Sequence, residues 1–329
     1  MPRLDAKAWF ALVALVFLLV PAAAAQPERL VVTTAVFYYP WYGTPTSDGS
    51  YDHWQQNGHH PPGDIASMFY PARGVYSSSD PSVVRAQMSA IARAGIREAV
   101  YSWWGQGSPE DAKLTLVLRE AQRYGVKVAA HLEPYDGRTV AGTADDIAYL
   151  RNLGIRDFFV YHATDFAAAD WKQVTSTLTG ARLFAQTPLA GFAKSAGFDG
   201  IYTYDALTYR GRSFARICSE AHAQGLLCAP SVSPGYSARR ATGDRRVLER
   251  RDGKTYDGSW RAALDARADL VTITSYNEWL EGTQIEPVIR KRGYLDYEGA
   301  WGKRGVGAQS AYLARTLFWT RTAAAKHQR

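Results

Sequence analysis

The chain is poor in the features that mark several common function classes. It has two cysteines, Cys218 and Cys228, and neither has the setting of a catalytic thiol. The first falls within a predicted helix and the second in the next predicted strand, so a disulfide and two buried thiols both fit. The seven histidines are scattered. His59 and His60 are adjacent, and adjacent residues rarely chelate one ion together; His131, His162 and His222 lack paired spacing, so no metal site is expected. No strand is followed by a glycine-rich phosphate loop, and no G-x-S-x-G nucleophile turn occurs. No cofactor is expected. The formal net charge of +7 is too modest to indicate nucleic acid by itself, and no zinc-finger or helix-turn-helix signature accompanies it.

Long apolar runs are confined to the N-terminus. Arg3 and Lys7 precede an apolar stretch from Ala8 to Val20, followed by Pro21 and the small run Ala22-Ala23-Ala24-Ala25. That order is a secretory signal, and cleavage before Gln26 is expected. The protein is then secreted or periplasmic with no stable membrane insertion, or membrane-anchored if the segment is retained. Linkers and composition breaks are also missing, so residues 26–329 are expected to form one catalytic domain.

What the chain has in quantity is hydrophobic and aromatic residues, 47% and 13%, with 10 Trp and 20 Tyr. A surplus of Trp and Tyr suits a cleft that stacks on the flat faces of sugar rings. Short apolar strands are predicted at 30–39, 96–103, 126–132, 157–161, 181–186, 200–203, 226–232 and 270–276. Helices are predicted at 81–94, 109–124, 143–153, 170–178, 189–196, 210–224, 259–267 and 308–322. Asp80 is the N-cap of the first, and Gly95, Gly125, Gly154, Gly180 and Gly225 close several of them. Eight strands alternating with eight helices, each strand apolar on both faces, predict a (β/α)8 barrel of the α/β class with elaborated loops on one face. An open doubly wound sheet is the alternative.

In such a barrel the functional side chains follow the strands. Here those positions hold Tyr39, Trp41 and Tyr42; Trp103 and Trp104; His131, Glu133, Tyr135 and Arg138; Tyr161 and His162; Gln186; Tyr202 and Tyr204; Ser233 and Tyr236; and Asn277, Glu278 and Glu281. Glycosidic cleavage normally uses two carboxyl groups. Glu278 and Glu281, three residues apart after the last strand, share one face if the chain makes a helical turn there. Glu133 is a third acid; its bland reading is a strand-end carboxylate bonded to Arg138. Residues 239–251 carry six arginines against two acids. They form either a solvated loop or a recognition site for anionic groups on a glycan.

Several segments resemble glycoside hydrolase family 99: Tyr38-Tyr39-Pro40-Trp41-Tyr42-Gly43, the stretch from Asp48 to His53-Trp54, His131-Leu132-Glu133-Pro134-Tyr135 with Arg138, Ser231-Val232-Ser233-Pro234-Gly235-Tyr236, and Asn277-Glu278-Trp279-Leu280-Glu281-Gly282. The likeness runs from about Val31 to Glu286. The resemblance implies a metal-independent retaining endo-α-mannosidase. Its base is Glu278, acting on the sugar 2-hydroxyl to give a 1,2-anhydro sugar, and its acid is Glu281. The oligosaccharide or polysaccharide substrate would be held by Tyr39, Trp41, Tyr42, His53, Trp103, Trp104, His131, Glu133, Tyr135, Arg138, Tyr202, Tyr204, Tyr236 and Asn277. Leu280 stands where the animal members carry His, and the turn after Tyr236 is basic where an acidic one is expected. A barrel glycosyltransferase and a non-catalytic carbohydrate-binding barrel are the rival functions.

Overall fold

A computed structural model describes residues 33–326. Eleven strands occur in it: β1 (Thr33–Tyr38), β2 (Glu98–Trp103), β3 (Lys127–Leu132), β4 (Asp157–Val160), β5 (Arg182–Gln186), β6 (Gly200–Tyr202), β7 (Leu227–Ala229), β8 (Ser231–Val232), β9 (Tyr236–Ser237), β10 (Val247–Leu248) and β11 (Leu270–Ile273). Nine form one sheet in the order β7-β6-β5-β4-β3-β2-β1-β11-β8, every pairing parallel. β7 and β8 are two legs of one stave, divided at Pro230, which has no N–H to give to a ladder. The first leg bonds β6 and the second bonds β11. The sheet therefore closes, and the expected eight staves form a barrel.

The strands are buried on both faces because most of their residues are apolar, with charged residues such as Glu98 and Asp157 at their first positions; β2 and β4 have no exposed position. Phe37, Phe159, Phe184 and Tyr202, from β1, β4, β5 and β6, pack ring against ring at centroid distances of 4.9 to 6.0 Å. All four are essentially inaccessible. They fill the interior as a solid core and provide the floor on which rim residues stand.

Helices follow their start signals. Asp80, Ser108 and Thr139 cap the helices Pro81–Arg93, Pro109–Arg123 and Val140–Asn152, each side chain accepting a main-chain N–H two or three residues on. The third begins three residues before its predicted start, because Thr139 rather than a later residue supplies the cap. Another expected at 259–267 occupies Lys254–Asp265, and the closing helix is broken into Val306–Gln309 and Ala311–Lys326. Gly95 has a positive φ of 74° and sits so close to Thr320 that a β-carbon would lie 2.3 Å from its hydroxyl. No other residue fits that turn without displacement.

Cys218 and Cys228 are disulfide-bonded, joining the helix Gly211–Ala223 to β7. The thiol alternative is thus excluded. The expected secretory segment lies outside the described residues. Among the described residues no helix is long and apolar enough to cross a membrane, and no group of three His, Cys, Asp or Glu is arranged to hold a metal ion.

Candidate active site

The last strand stops at Ile273, three residues short of its predicted end, yet its bonding continues on both sides. Thr274 N–H donates to Val232 O (2.9 Å) and Tyr276 N–H to Phe37 O (2.8 Å). The chain then doubles back, with Ser275 N–H on Thr283 O and Ile285 N–H on Ser275 O, both 3.0 Å. The residues between, including Glu278 and Glu281, are lifted onto the rim at the C-terminal ends of the strands. Ser275 Oγ accepts the Glu278 N–H at 2.8 Å, and the Tyr42 hydroxyl accepts the Trp279 N–H at 2.9 Å. Both catalytic candidates therefore sit on backbone pinned from below.

Glu278 and Glu281 open onto the same hollow of about 160 Å³. Its other walls are Tyr39, Trp41, Trp104, His131, Glu133, Pro134, Tyr161 and Tyr204. No lysine or arginine lines it. Burial, the Glu281 charge and Glu133 push the Glu278 carboxyl well above the usual carboxylate range, opposed by the Leu280 N–H that its Oε1 accepts at 3.1 Å. Burial, Asp205 and Glu133 raise Glu281 to about 7. Two neighbouring acids this deeply buried do not ionise together easily, so near neutral pH the pair holds a proton.

Glu133 is braced rather than free. Its Oε1 accepts from Ser102 Oγ (2.7 Å) and lies 2.8 Å from His131 Nδ1, while His131 Nε2 is 2.8 Å from the Tyr202 hydroxyl. Trp104 Nε1 also donates to Ser102 Oγ, at 3.1 Å. The Tyr39 and Tyr204 hydroxyls share a short hydrogen bond across the hollow's floor. Tyr204 holds a left-handed φ of 48°, unusual for a bulky residue. Its N–H on Ser231 Oγ (2.8 Å) and its carbonyl under Thr274 Oγ1 (3.0 Å) keep it there.

Eight of the fourteen residues expected to hold sugar do not line this hollow. Tyr42 is fully buried, its hydroxyl donating to Asn277 O. His53 stacks on Trp41 at 4.4 Å and supports that ring; burial lowers its pKa to about 4, keeping it neutral. Trp103 is buried with its Nε1 on Asp111, because alternate residues of a strand face opposite ways and Trp104, not Trp103, meets the rim. Tyr135 is bonded to Asp146, and Tyr236 to Asp244 at 3.0 Å. Arg138 gives its Nη1 donors to Leu132 O and Glu133 O, so the Glu133 carboxylate is held by Ser102 and His131 rather than by Arg138. Tyr202 braces His131 from beneath. Asn277 is inaccessible, its carboxamide consumed by Tyr39.

Tyr161 and Pro134 line the hollow although neither is in the sugar-binding set drawn from the motifs. Tyr161 follows β4, and that position alone pointed to it. Leu280 packs in an apolar cluster with Ala66 and Ala241. Three of the six arginines in the 239–251 segment already have partners. Arg240 pairs with Asp64, Arg246 with Asp244 at 2.8 Å, and Arg250 donates to Gly282 O and Gln284 O while lying over Phe69, Tyr297 and Tyr312.

The arrangement agrees with what the chain is similar to. The family model described as "Glycosyl hydrolase family 99" matches residues 30–325. The Homo sapiens glycoprotein endo-alpha-1,2-mannosidase-like protein is 32% identical over 339 aligned positions, covering 84% of this chain and 74% of that protein. The Mus musculus glycoprotein endo-alpha-1,2-mannosidase is 32% identical over 346 positions, covering 86% and 73%. The solved structure of the GH99 endo-alpha-mannosidase from Bacteroides thetaiotaomicron superposes with a TM-score of 0.81 at 30% identity, over 90% of this chain and 98% of that one. Such agreement over nearly the whole barrel decides against the transferase and the non-catalytic alternatives. The chain belongs to glycosyl hydrolase family 99 and is a glycoside hydrolase.

Proposed function

We propose that the enzyme is a retaining endo-α-mannosidase that cleaves within α-mannosides by participation of the donor sugar's own 2-hydroxyl. The observation that carries this reading is the pairing of Glu278 and Glu281 on one small hollow walled by aromatic rings. The names of the relatives supply the mannoside. Glu278 takes the proton of O2, O2 attacks C1 from the face opposite the α leaving group, and the C1–O bond to that group breaks. Glu281 gives its proton to the departing oxygen. Water, deprotonated by Glu281, then opens the 1,2-anhydro sugar at C1 while Glu278 returns a proton to O2. Two inversions at C1 leave the α configuration.

Burial and the neighbouring Glu281 hold Glu278 toward its neutral form, and the Leu280 N–H on its Oε1 is a contact that favours the charged form a base needs. A Glu281 raised to about 7 is protonated when the acid step requires it. Tyr39, Trp41, Trp104, Tyr161 and Tyr204 would hold the donor ring, with Glu133 and His131 reading its hydroxyls. Incubation with a panel of α-mannans, with product sizing and NMR of the freshly released anomer, tests this. Internal cleavage giving the α-anomer is expected; stepwise loss of single residues, or the β-anomer, would overturn it.

Two wider readings belong to the same proposal. Residues 1–25 act as a cleaved secretory signal ahead of one barrel domain at 26–329, and the mature enzyme works outside the cytosol. N-terminal sequencing of exported protein should begin at Gln26; an intact Met1 on exported protein would mean an anchored form. The glycan substrate is taken to include anionic forms, but Arg240, Arg246 and Arg250 are engaged elsewhere and are not the groups that would read them.

A further inference from the structure

A second concavity, about 270 Å³, runs along the outer wall of the barrel beside the helix Pro81–Arg93. It is lined by Arg73, Ser82, Arg85, Ser89, Arg93 and Tyr124, with the small side chain of Ala86 between them. Ser82, Arg85, Ser89 and Arg93 recur at three- and four-residue intervals and so share one helical face. Arg85 and Arg93, eight residues apart, are separated by about 12 Å along the axis. Arg85 shares the buried Glu120 carboxylate with Arg119 and Arg123 from the next helix. Arg93 reaches only the Ser89 hydroxyl, at 2.8 Å. Among the described residues neither Arg73 nor Arg93 has a carboxylate within ion-pair distance. Three guanidinium groups therefore share Glu120, while those of Arg73 and Arg93 meet at the groove with no carboxylate in contact, the buried Glu286 being the acid that feels Arg73 from a distance.

We propose that this groove binds a linear anionic glycan, one carrying phosphate, sulfate or carboxylate groups along its length, at a site separate from the catalytic hollow. Planar guanidinium forks suit such groups, and the serine hydroxyls add donors between them. A membrane surface is the less favoured occupant. Tyr124 is the one aromatic side chain in the lining, and no aliphatic edge accompanies it for insertion among acyl chains. The site would tether the enzyme to the charged polymer on which its substrate is displayed, increasing the local substrate concentration without touching the chemistry.

The test compares wild type, R73A/R93A and a charge-matched control, K303A/R304A, whose two side chains are exposed and do not line the groove. Binding to dextran sulfate, to neutral dextran and to phosphatidylserine vesicles is measured between 50 and 200 mM salt. The groove predicts salt-sensitive binding of dextran sulfate alone, about tenfold weaker in R73A/R93A with a log–log salt slope shallower by about two, and nearly unchanged in the control. Cleavage of a small neutral mannoside should be the same in all three. Failure of wild type to bind dextran sulfate, equal weakening by the control pair, or tighter binding to vesicles than to dextran sulfate would each overturn the proposal.

Discussion

The Asn277 carboxamide grips the main chain of Tyr39 at both of its polar groups: Oδ1 accepts the Tyr39 N–H and Nδ2 donates to the Tyr39 carbonyl, each at 2.8 Å. A side chain here does what a neighbouring strand would do. It ties the end of β1 to the turn that carries both catalytic candidates, and holds the Tyr39 ring against the hollow. Asn277→Asp keeps the acceptor, loses the donor, and adds a buried charge beside Glu278. Denaturant titration should show a loss of about 2–3 kcal/mol, with kcat falling further than KM rises. Unchanged kcat would mean that the clamp does not position the site.

The floor of the barrel carries a pH-sensitive pair. Burial and the neighbouring Asp157 raise Glu98 to about 8, while hydrogen bonds from Arg182, both 2.6 Å, help hold Asp157 low. Folded Glu98 keeps a proton that the unfolded chain has released by about pH 5. Its contribution is therefore complete below that pH and is lost as pH rises toward 8. The melting temperature should fall between about pH 5 and about pH 8 and level off above that, and the slope should flatten in Glu98→Gln. An identical slope in the variant would contradict the assignment.

Glu281 predicts the alkaline limb of the activity profile. A group raised to about 7 must stay protonated to act as the acid, so kcat should decline above about pH 7 for a substrate with a poor leaving group. With a nitrophenyl-type leaving group that needs no protonation, the same limb should move or vanish. A limb independent of the leaving group would assign it to another residue.

The disulfide closes a loop of 10 residues on the outer layer, away from the hollow. By the chain-entropy relation, its removal in C218A/C228A should lower stability by about 3 kcal/mol. The kcat should remain at the wild-type value. A fall in kcat measured well below the melting range would show that the cross-link supports the rim.

The sequence carried the architecture because each element announces itself locally: apolar strands, Asp80 at a helix start, glycines at helix ends. Pro230 was visible too, though not that it splits one stave into two legs serving different neighbours. The site was half legible. Glu278, Glu281, Glu133 and the rings of Tyr39, Trp41, Trp104 and Tyr204 follow strands and do line one hollow. Tyr42, Trp103 and Asn277 follow strands equally well but turn inward, because facing depends on where each strand ends. The 270–276 stave, ending at Ile273, could not reveal that. Two arginines of 239–251 were illegible for a different reason. The Asp64 partner of Arg240 and the Gln284 carbonyl partner of Arg250 are distant in sequence and adjacent only after folding.

The most direct test of the paired carboxylates is single-turnover cleavage by Glu278→Gln and Glu281→Gln, each on an α-mannoside with a poor and with a good leaving group. Glu278→Gln should lose at least about 10³-fold on both, since the base is needed whatever departs. Glu281→Gln should lose about 10²–10⁴-fold on the poor leaving group and far less on the good one. Near wild-type rates in either variant, or the same loss on both substrates for both variants, would contradict the division of labour proposed for the pair.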